Sequence, residues 1–380
     1  MSRIEDLRKE IDAIDDELSA LYIKRMGICK EIGKEKAETG TPVNAAAREK
    51  EIINRVTKNA SDDVKVYLKR LYQDIFFQSK TYQSSFAPAK SPVSEGIREI
   101  LKKGTEKFPV SATVACQGVA GAYSGIAADK LFEISDVTYF KTFDAVFNAV
   151  DKGLCEYGVL PIENSTAGSV SQVYDLMKKH SFYIVKSVRV QITHALLAKK
   201  GVKTEDIKTV YSHPQALSQC SEFLKKLGVK TVEVENTAVA AEMVAKGEDM
   251  TAAALCSEDC GEINDLAILE RGVQNASNNF TRFICISKDL KVFDGADKIS
   301  VMTSLSNKPG SLNKTLSRFA TIGLNLTKLE SRPIENSPFE FMFYFDFEGD
   351  IRSDSVLDLI AELDNSSDKF VFLGSYRETI

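Results

Sequence analysis

Arg25 stands where the apolar seam of an N-terminal helix would continue. Ile4, Leu7, Ile11, Ile14, Leu18 and Leu21 recur at three- and four-residue steps, and the next seam position is a guanidinium. A buried cation has to be paired or has to serve a ligand, because isolating it from water is very unfavourable. Lys36 follows eleven residues on, about three turns along the same face. Arg48 and Glu49 precede the apolar run Ile52, Ile53, Val56, and Ser79 and Gln83 recur one turn apart beside Leu71, Ile75 and Tyr82. Singly, each of these is an ordinary solvated residue. As a set of inward-facing polar positions, with Arg25 and Lys36 looking into one cavity, they point to a functional site.

A second set of polar clusters lies further on: GVAGAYS, PIENSTAGS, SHPQ and NNFTRF. Each falls where a short apolar strand ends, the position at which α/β sheets bind ligands and helix N-termini offer free N–H groups to anions. The spacing points to one small anionic ligand between two lobes. There is no Walker loop and no GxGxxG; Gly118 and Gly121 make only a GxxG turn, so no nucleotide cofactor is implied. His213 is followed by Pro214 in a turn, which disfavours a Ser-His-Asp arrangement, and His180 and His194 lack an evident partner and read as structural.

The elements that must hold these residues follow from pattern. Residues 4 to 38 read as one helix of about 50 Å, longer than the shorter helices near 45 to 58 and 64 to 84 could cover, so the first module should dimerise through it. The stretch from Ser84 to Pro109, with Pro88, Pro92 and Pro109 around IREILKKG, reads as a linker. From Thr113 to Lys288, strands TVACQ, YGVLPI, YIVKSV, HALLAK, TVYSH, AAALCS and RFICIS alternate with helical patterns. From Lys298 the order is βαββαβ, a ferredoxin-like unit.

With 380 residues, two or three domains are expected. A net charge of −5 and the absence of Lys/Arg blocks argue against nucleic acid. The charged start MSRIEDLRKEIDAIDDEL is no signal peptide, and no apolar run is long enough for a bilayer, so no membrane partner and a cytoplasmic location are expected. The seven cysteines form no CxxC pair, and Cys256 and Cys260 have no histidine nearby, so buried reduced thiols are expected and no metal.

LRKEIDAIDDEL, YIKRMGICKEIGKEK, AREKEI and QSKTYQ resemble the all-helical chorismate mutases over residues 1–86. The resemblance implies a substrate-binding set of Arg8, Arg25, Lys36, Arg48, Glu49, Ser79 and Gln83, with Arg8 reaching in from the partner chain and Lys36 and Gln83 catalytic, nearest the ether oxygen. Ala45 stands where related chains often have aspartate.

PIENSTAGS, YSHPQALSQC and NFTRF resemble prephenate dehydratase, a two-lobed α/β fold similar to periplasmic binding proteins, here assigned to 111–290 after a linker at 87–110. On that resemblance Thr281, Arg282 and Phe283 form the catalytic motif, and Glu163, Asn164, Ser212 and Gln219 line the cleft. Whether Arg282 holds a carboxylate or is structural stays open.

Residues 297–380 resemble an ACT domain through KPGSL and ESRP, which implies phenylalanine binding by Pro309, Gly310, Ser311, Leu312, Glu330, Ser331 and Arg332 between paired subunits. Together the three resemble the bifunctional chorismate mutase/prephenate dehydratases. The implied substrates are chorismate and prephenate, with phenylalanine as effector, no cofactor, and a homodimer or higher homo-oligomer. The alternatives are a non-catalytic sensor of a small acid and an enzyme preferring arogenate.

Overall fold

The computed structural model describes residues 3–39, 46–86, 89–334 and 341–379. The chain divides into two compact units, Met1–Lys90 and Ser91–Ile380.

In the first unit, the sustained 3–4 spacing gives α1 (Arg3–Thr39), followed by α2 (Ala46–Val56) and α3 (Asp62–Ser84). The C-terminal half of α1 runs in the same direction as α3, as the successive contacts Arg25–Ser79 and Lys36–Gln83 show. Gly33 permits this approach: a Cβ there would lie 3.0 Å from the Gln83 Cα and 2.9 Å from a ring carbon of Phe86. Among the described residues of this unit, nothing covers the seam of α1. Ile4, Leu7, Ile11, Ile14, Leu18 and Leu21 are 49% to 65% exposed.

The second unit opens with α4 (Pro92–Lys102). This segment lies inside the stretch read as a linker, and the structure corrects that reading from Ser91 onward. Ser91 and Ser94 cap each other's backbone N–H reciprocally, and Pro92 occupies the first helical position, where its missing N–H is no loss. Ile97 is buried in the C-terminal core, and Arg98 pairs with Asp354 at 2.8 Å.

The first lobe is built from β1 (Ser111–Gln117), α5 (Tyr123–Leu131), β2 (Ile134–Phe140), α6 (Phe143–Asp151), β3 (Tyr157–Asn164), β4 (Gly168–Ser169), α7 (Ser171–Lys179) and β5 (Tyr183–Gln191). The second lobe follows with β6 (Ala195–Lys199), β7 (Thr209–Ser212), α8 (Pro214–Gln219), α9 (Ser221–Leu227), β8 (Lys230–Glu233), α10 (Thr237–Lys246), β9 (Ala252–Cys256), α11 (Asp259–Ile263) and β10 (Leu266–Glu270), in the sheet order β10-β6-β9-β7-β8. The small residues of β9 are all buried, and the alanines of α10 pack against them. The chain then returns to the first lobe as β11 (Phe280–Ser287), which lies between β5 and β3. All seven sequence-read strands are present; β2, β4, β8 and β10 are additional.

The tail is βαββαβ: β12 (Lys298–Ser304), α12 (Ser311–Thr321), β13 (Leu326–Pro333), β14 (Phe341–Glu348), α13 (Asp354–Ser366) and β15 (Phe370–Thr379). Its sheet is not separate. The end of β15 pairs in parallel with β5, giving the order β13-β14-β12-β15-β5-β11-β3-β1-β2. Gly374, at φ 140°, makes this junction possible, since a Cβ there would fall 2.2 Å from the Ile184 carbonyl oxygen. One core of Leu160, Ile162, Tyr174, Met302, Tyr344 and Tyr376 runs across the junction. No helix among the described residues is long and apolar enough to cross a membrane.

Candidate active sites

In the first unit, Arg25 donates from Nη1 to Ser79 Oγ, and its guanidinium lies 6.0 Å from the Phe76 ring centroid. Ser79 is buried and donates its own hydroxyl hydrogen to the Ile75 carbonyl at 2.6 Å. Its lone pairs therefore face the arginine. Further along the same face Lys36 Nζ donates to Gln83 Oε1 at 3.3 Å. Four sequence-read residues thus line up between α1 and α3.

Glu49 sits where α2 meets α3, with Lys80 Nζ 2.7 Å from its carboxylate. Lys80 was not legible as part of the group, because only the crossing of α2 over α3 brings it there. Arg48 does not join the line: its side chain is exposed and pairs with Glu51 at 2.6 Å. Arg8 is exposed on α1, roughly 25 Å along the helix from Arg25. Ala45 lies outside the described residues.

In the second unit, a cavity of about 210 Å³ opens between the lobes, lined among others by Asn164, His194, His213, Gln219, Asn279, Thr281 and Phe283. No Lys, Arg, Asp or Glu is among the described residues that line it. Two helix ends face it instead. The residues that start α5 (Ala122, Tyr123, Ser124) and α10 (Asn236, Thr237) face the cavity, and the first amides of a helix have no partner within it.

Hydrogen bonding fixes the orientation of three amides here, those of Asn164, Asn279 and Gln219. Asn164 Oδ1 accepts from the backbone N–H groups of Thr166 and Ala167 at 3.0 and 2.9 Å. Its Nδ2 therefore faces the other way, donating to Thr281 Oγ1 and to Asn279 Oδ1, both at 2.8 Å. Asn279 Nδ2 then donates to Gln219 Oε1 at 3.1 Å. That oxygen also lies 3.1 Å from His194 Nε2, which must carry the imidazole proton. His194 Nδ1 is buried without a hydrogen-bond partner. Burial lowers the His194 pKa against a smaller upward pull from Gln219, and burial likewise lowers His213, with Glu233 opposing it. His194, read as structural, is thus part of the cavity network. Its partner is 25 residues away in sequence, which no local pattern reveals.

The remaining sequence-read residues stand elsewhere. Ser212 is fully buried, donating to the Leu255 carbonyl at 2.5 Å, and does not line the cavity. The residue after it, His213, caps α8. Glu163 and Arg282 also leave the cavity, because on β3 and β11 they alternate with Asn164 and Thr281 and face the opposite side of the sheet. The Arg282 guanidinium lies 2.8 Å from Glu163, 2.6 Å from Asp346 and 3.6 Å from Glu378. Burial alone would lower its pKa, but Asp346 foremost holds it raised, so it stays charged.

In the tail, Gly310 adopts φ 84° just before α12, and Ser306 and Ser311 hydroxyls meet at 2.9 Å. On β13 the inward side chains reach the first lobe: Glu330 accepts from Ser169, and Arg332 donates to Ser171 at 2.7 Å. Ser331 faces outward and is exposed. Pro309, Gly310, Ser311 and Leu312 lie at the start of α12 and make no described hydrogen bond or ion pair to Glu330 or Arg332.

The chorismate mutase type II family model matches residues 7–84, and the prephenate dehydratase model matches residues 114–291. The bifunctional chorismate mutase/prephenate dehydratase of Escherichia coli (strain K12) is 33% identical over 382 residues, 97% of this chain and 95% of that protein. Arogenate dehydratase/prephenate dehydratase 2, chloroplastic, of Arabidopsis thaliana is 38% identical over 309 residues, 78% of this chain and 80% of that protein. Among solved structures, prephenate dehydratase from Arthrobacter aurescens in complex with L-Phe matches with a TM-score of 0.64 and 28% identity, over 70% of this chain and 90% of that one.

Proposed function

The chain belongs to the family of bifunctional chorismate mutase/prephenate dehydratases, and on that footing we propose how its residues divide the work. It rearranges chorismate to prephenate and converts prephenate to phenylpyruvate, in phenylalanine biosynthesis.

The first reaction needs no base and no nucleophile. It needs cations that hold two carboxylates in a folded geometry and a donor to the ether oxygen as that bond breaks. Arg25, with Ser79 anchoring it, takes a carboxylate, and Lys36 and Gln83 serve the ether oxygen. Glu49, held by Lys80, accepts from a substrate hydroxyl. Arg8 completes the site from a second chain, and Arg48 binds at its rim. The exposed apolar face of α1 supports a homodimer built on that helix.

In the second reaction the ring carboxylate leaves as carbon dioxide, its electrons move through the ring, and the opposite hydroxyl departs as water after gaining a proton. The reading rests on one observation. Thr281 Oγ1 accepts from Asn164 at 2.8 Å inside the cavity, so its own hydrogen is free to point at the departing hydroxyl. The amides of Asn164, Gln219 and Asn279 orient the substrate, and the starts of α5 and α10 take its carboxylates. Phe283 supplies an apolar wall. Arg282 and Glu163 support the strand pair from behind, and Ser212 supports β7. Among the described residues that line the cavity there is no carboxylate to receive the ammonium of arogenate, which favours prephenate as the substrate.

The βαββαβ tail acts as an ACT domain that binds phenylalanine through Pro309 to Leu312 and Glu330 to Arg332 across paired chains, lowering dehydratase turnover. The L-Phe complex of the Arthrobacter protein supports this. A cytoplasmic location belongs to the same reading. Purified protein given chorismate, then prephenate or arogenate, with and without phenylalanine, tests it. Prephenate and then phenylpyruvate should appear, with the second step slowed by phenylalanine. No turnover of any substrate would make the chain a binding protein instead.

A further inference from the structure

We infer that Lys328, on β13 of the tail, is a positioning residue for the dehydratase centre and carries the effector strand's influence to it. The inference rests on the assignment of the Asn164–Thr281 pair above and adds its mechanical support.

On β3 and β11, Asn164 stands opposite Thr281, and Glu163 stands opposite Arg282. Alternation puts the first pair on the cavity face and the second on the back of the same sheet. The back pair is an ion pair of 2.8 Å in which Arg282 is 4% exposed, so each charge there depends on its partners. Glu163 divides its carboxylate between two strands: Oε1 meets Arg282, and Oε2 meets Lys328 Nζ. Lys328 also donates to Ser169 Oγ at 3.0 Å.

Glu163 and Ser169 flank the loop whose Thr166 and Ala167 amides hold Asn164 in the orientation that faces Thr281. One ammonium group therefore staples both ends of the loop that aims the catalytic pair. Lys328 lies two positions before Glu330, on the same inward face of β13, and Glu330 grips the same Ser169. A displacement of β13 at the ESR segment would pull directly on this staple.

The test uses the full chain. Lys328→Met keeps the length and apolar stem and removes the charge; Lys328→Arg keeps the charge. Lys328→Met should lower dehydratase kcat about tenfold with KM for prephenate within about twofold, and shift the phenylalanine concentration for half-inhibition about tenfold. Lys328→Arg should recover most of both, and chorismate turnover should be unchanged throughout. In the pair Glu163→Gln with Lys328→Met, the double variant should be little worse than either single one. Unchanged kcat and unchanged phenylalanine response in Lys328→Met overturn the inference. So do fully additive losses in the double variant, including where the singles are poorly folded. Thr281→Val serves as the control: if it retains dehydratase activity the site assignment itself is wrong, whereas an inactive Thr281→Val beside a normal Lys328→Met removes only the role of Lys328.

Discussion

His194 donates from Nε2 to the Gln219 side-chain carbonyl at 3.1 Å, the last link of a chain of fixed orientations that begins at the Asn164 amide. Protonation would keep that donor but add a buried N–H at Nδ1 with nothing to receive it, so the neutral imidazole is favoured here.

Burial depresses the folded pKa of His194 below the ordinary 6.5. Below that value the unfolded chain binds the proton more readily than the native one, so this contribution to stability is full above about pH 6.5 and is lost as pH falls toward the depressed folded value. Urea midpoints measured from neutral into mildly acidic pH should decline in the wild type and decline less steeply in His194→Gln. His213 shifts in the same direction and leaves a residual slope. Equal slopes in the two proteins would count against the assignment.

Thr281→Val removes the hydroxyl and keeps the shape. Loss of one donor to a transition state commonly lowers the rate about 10² to 10³-fold, and that loss is expected in phenylpyruvate formation alone. Chorismate consumption, followed in the same preparation, should be unaffected.

Arg25→Ala should lower chorismate turnover by a comparable factor, roughly 10² to 10³, while circular dichroism shows the helices intact. Ser79→Ala should lose less, about tenfold, because the guanidinium remains and only its anchor is gone. A Ser79→Ala enzyme as impaired as Arg25→Ala would mean the serine itself meets the substrate.

Arg282→Met leaves Glu163, Asp346 and Glu378 without the cation they share. Breaking a buried pair from one side destabilises by about 3 to 5 kcal/mol. Denaturant melts of the second unit should show that loss, and the additional variant Asp346→Asn should recover part of it.

Much of this was legible in sequence because the signals were local. The 3–4 spacing of α1 marked Arg25 as a break in an apolar seam, and the motif NNFTRF marked the strand carrying Thr281. What failed was parity and partnership. Glu163 and Asn164 are adjacent letters, and only the register of β3 against β11 decides which one meets the cavity. The prolines that made 87–110 look like a linker include Pro92, which starts a helix there rather than breaking one. β2 sits at a sheet edge with an alternating, half-exposed pattern, and β8 is only four residues long, so neither shows an apolar run.

The uncovered stripe along α1 carries a kinetic signature. If two chains must meet there before either mutase centre is whole, specific mutase activity will fall on dilution, becoming proportional to protein concentration once most chains are single. The cleft that holds Thr281 lies wholly within one chain's second unit, so its intrinsic chemistry would persist at concentrations where the first reaction fades.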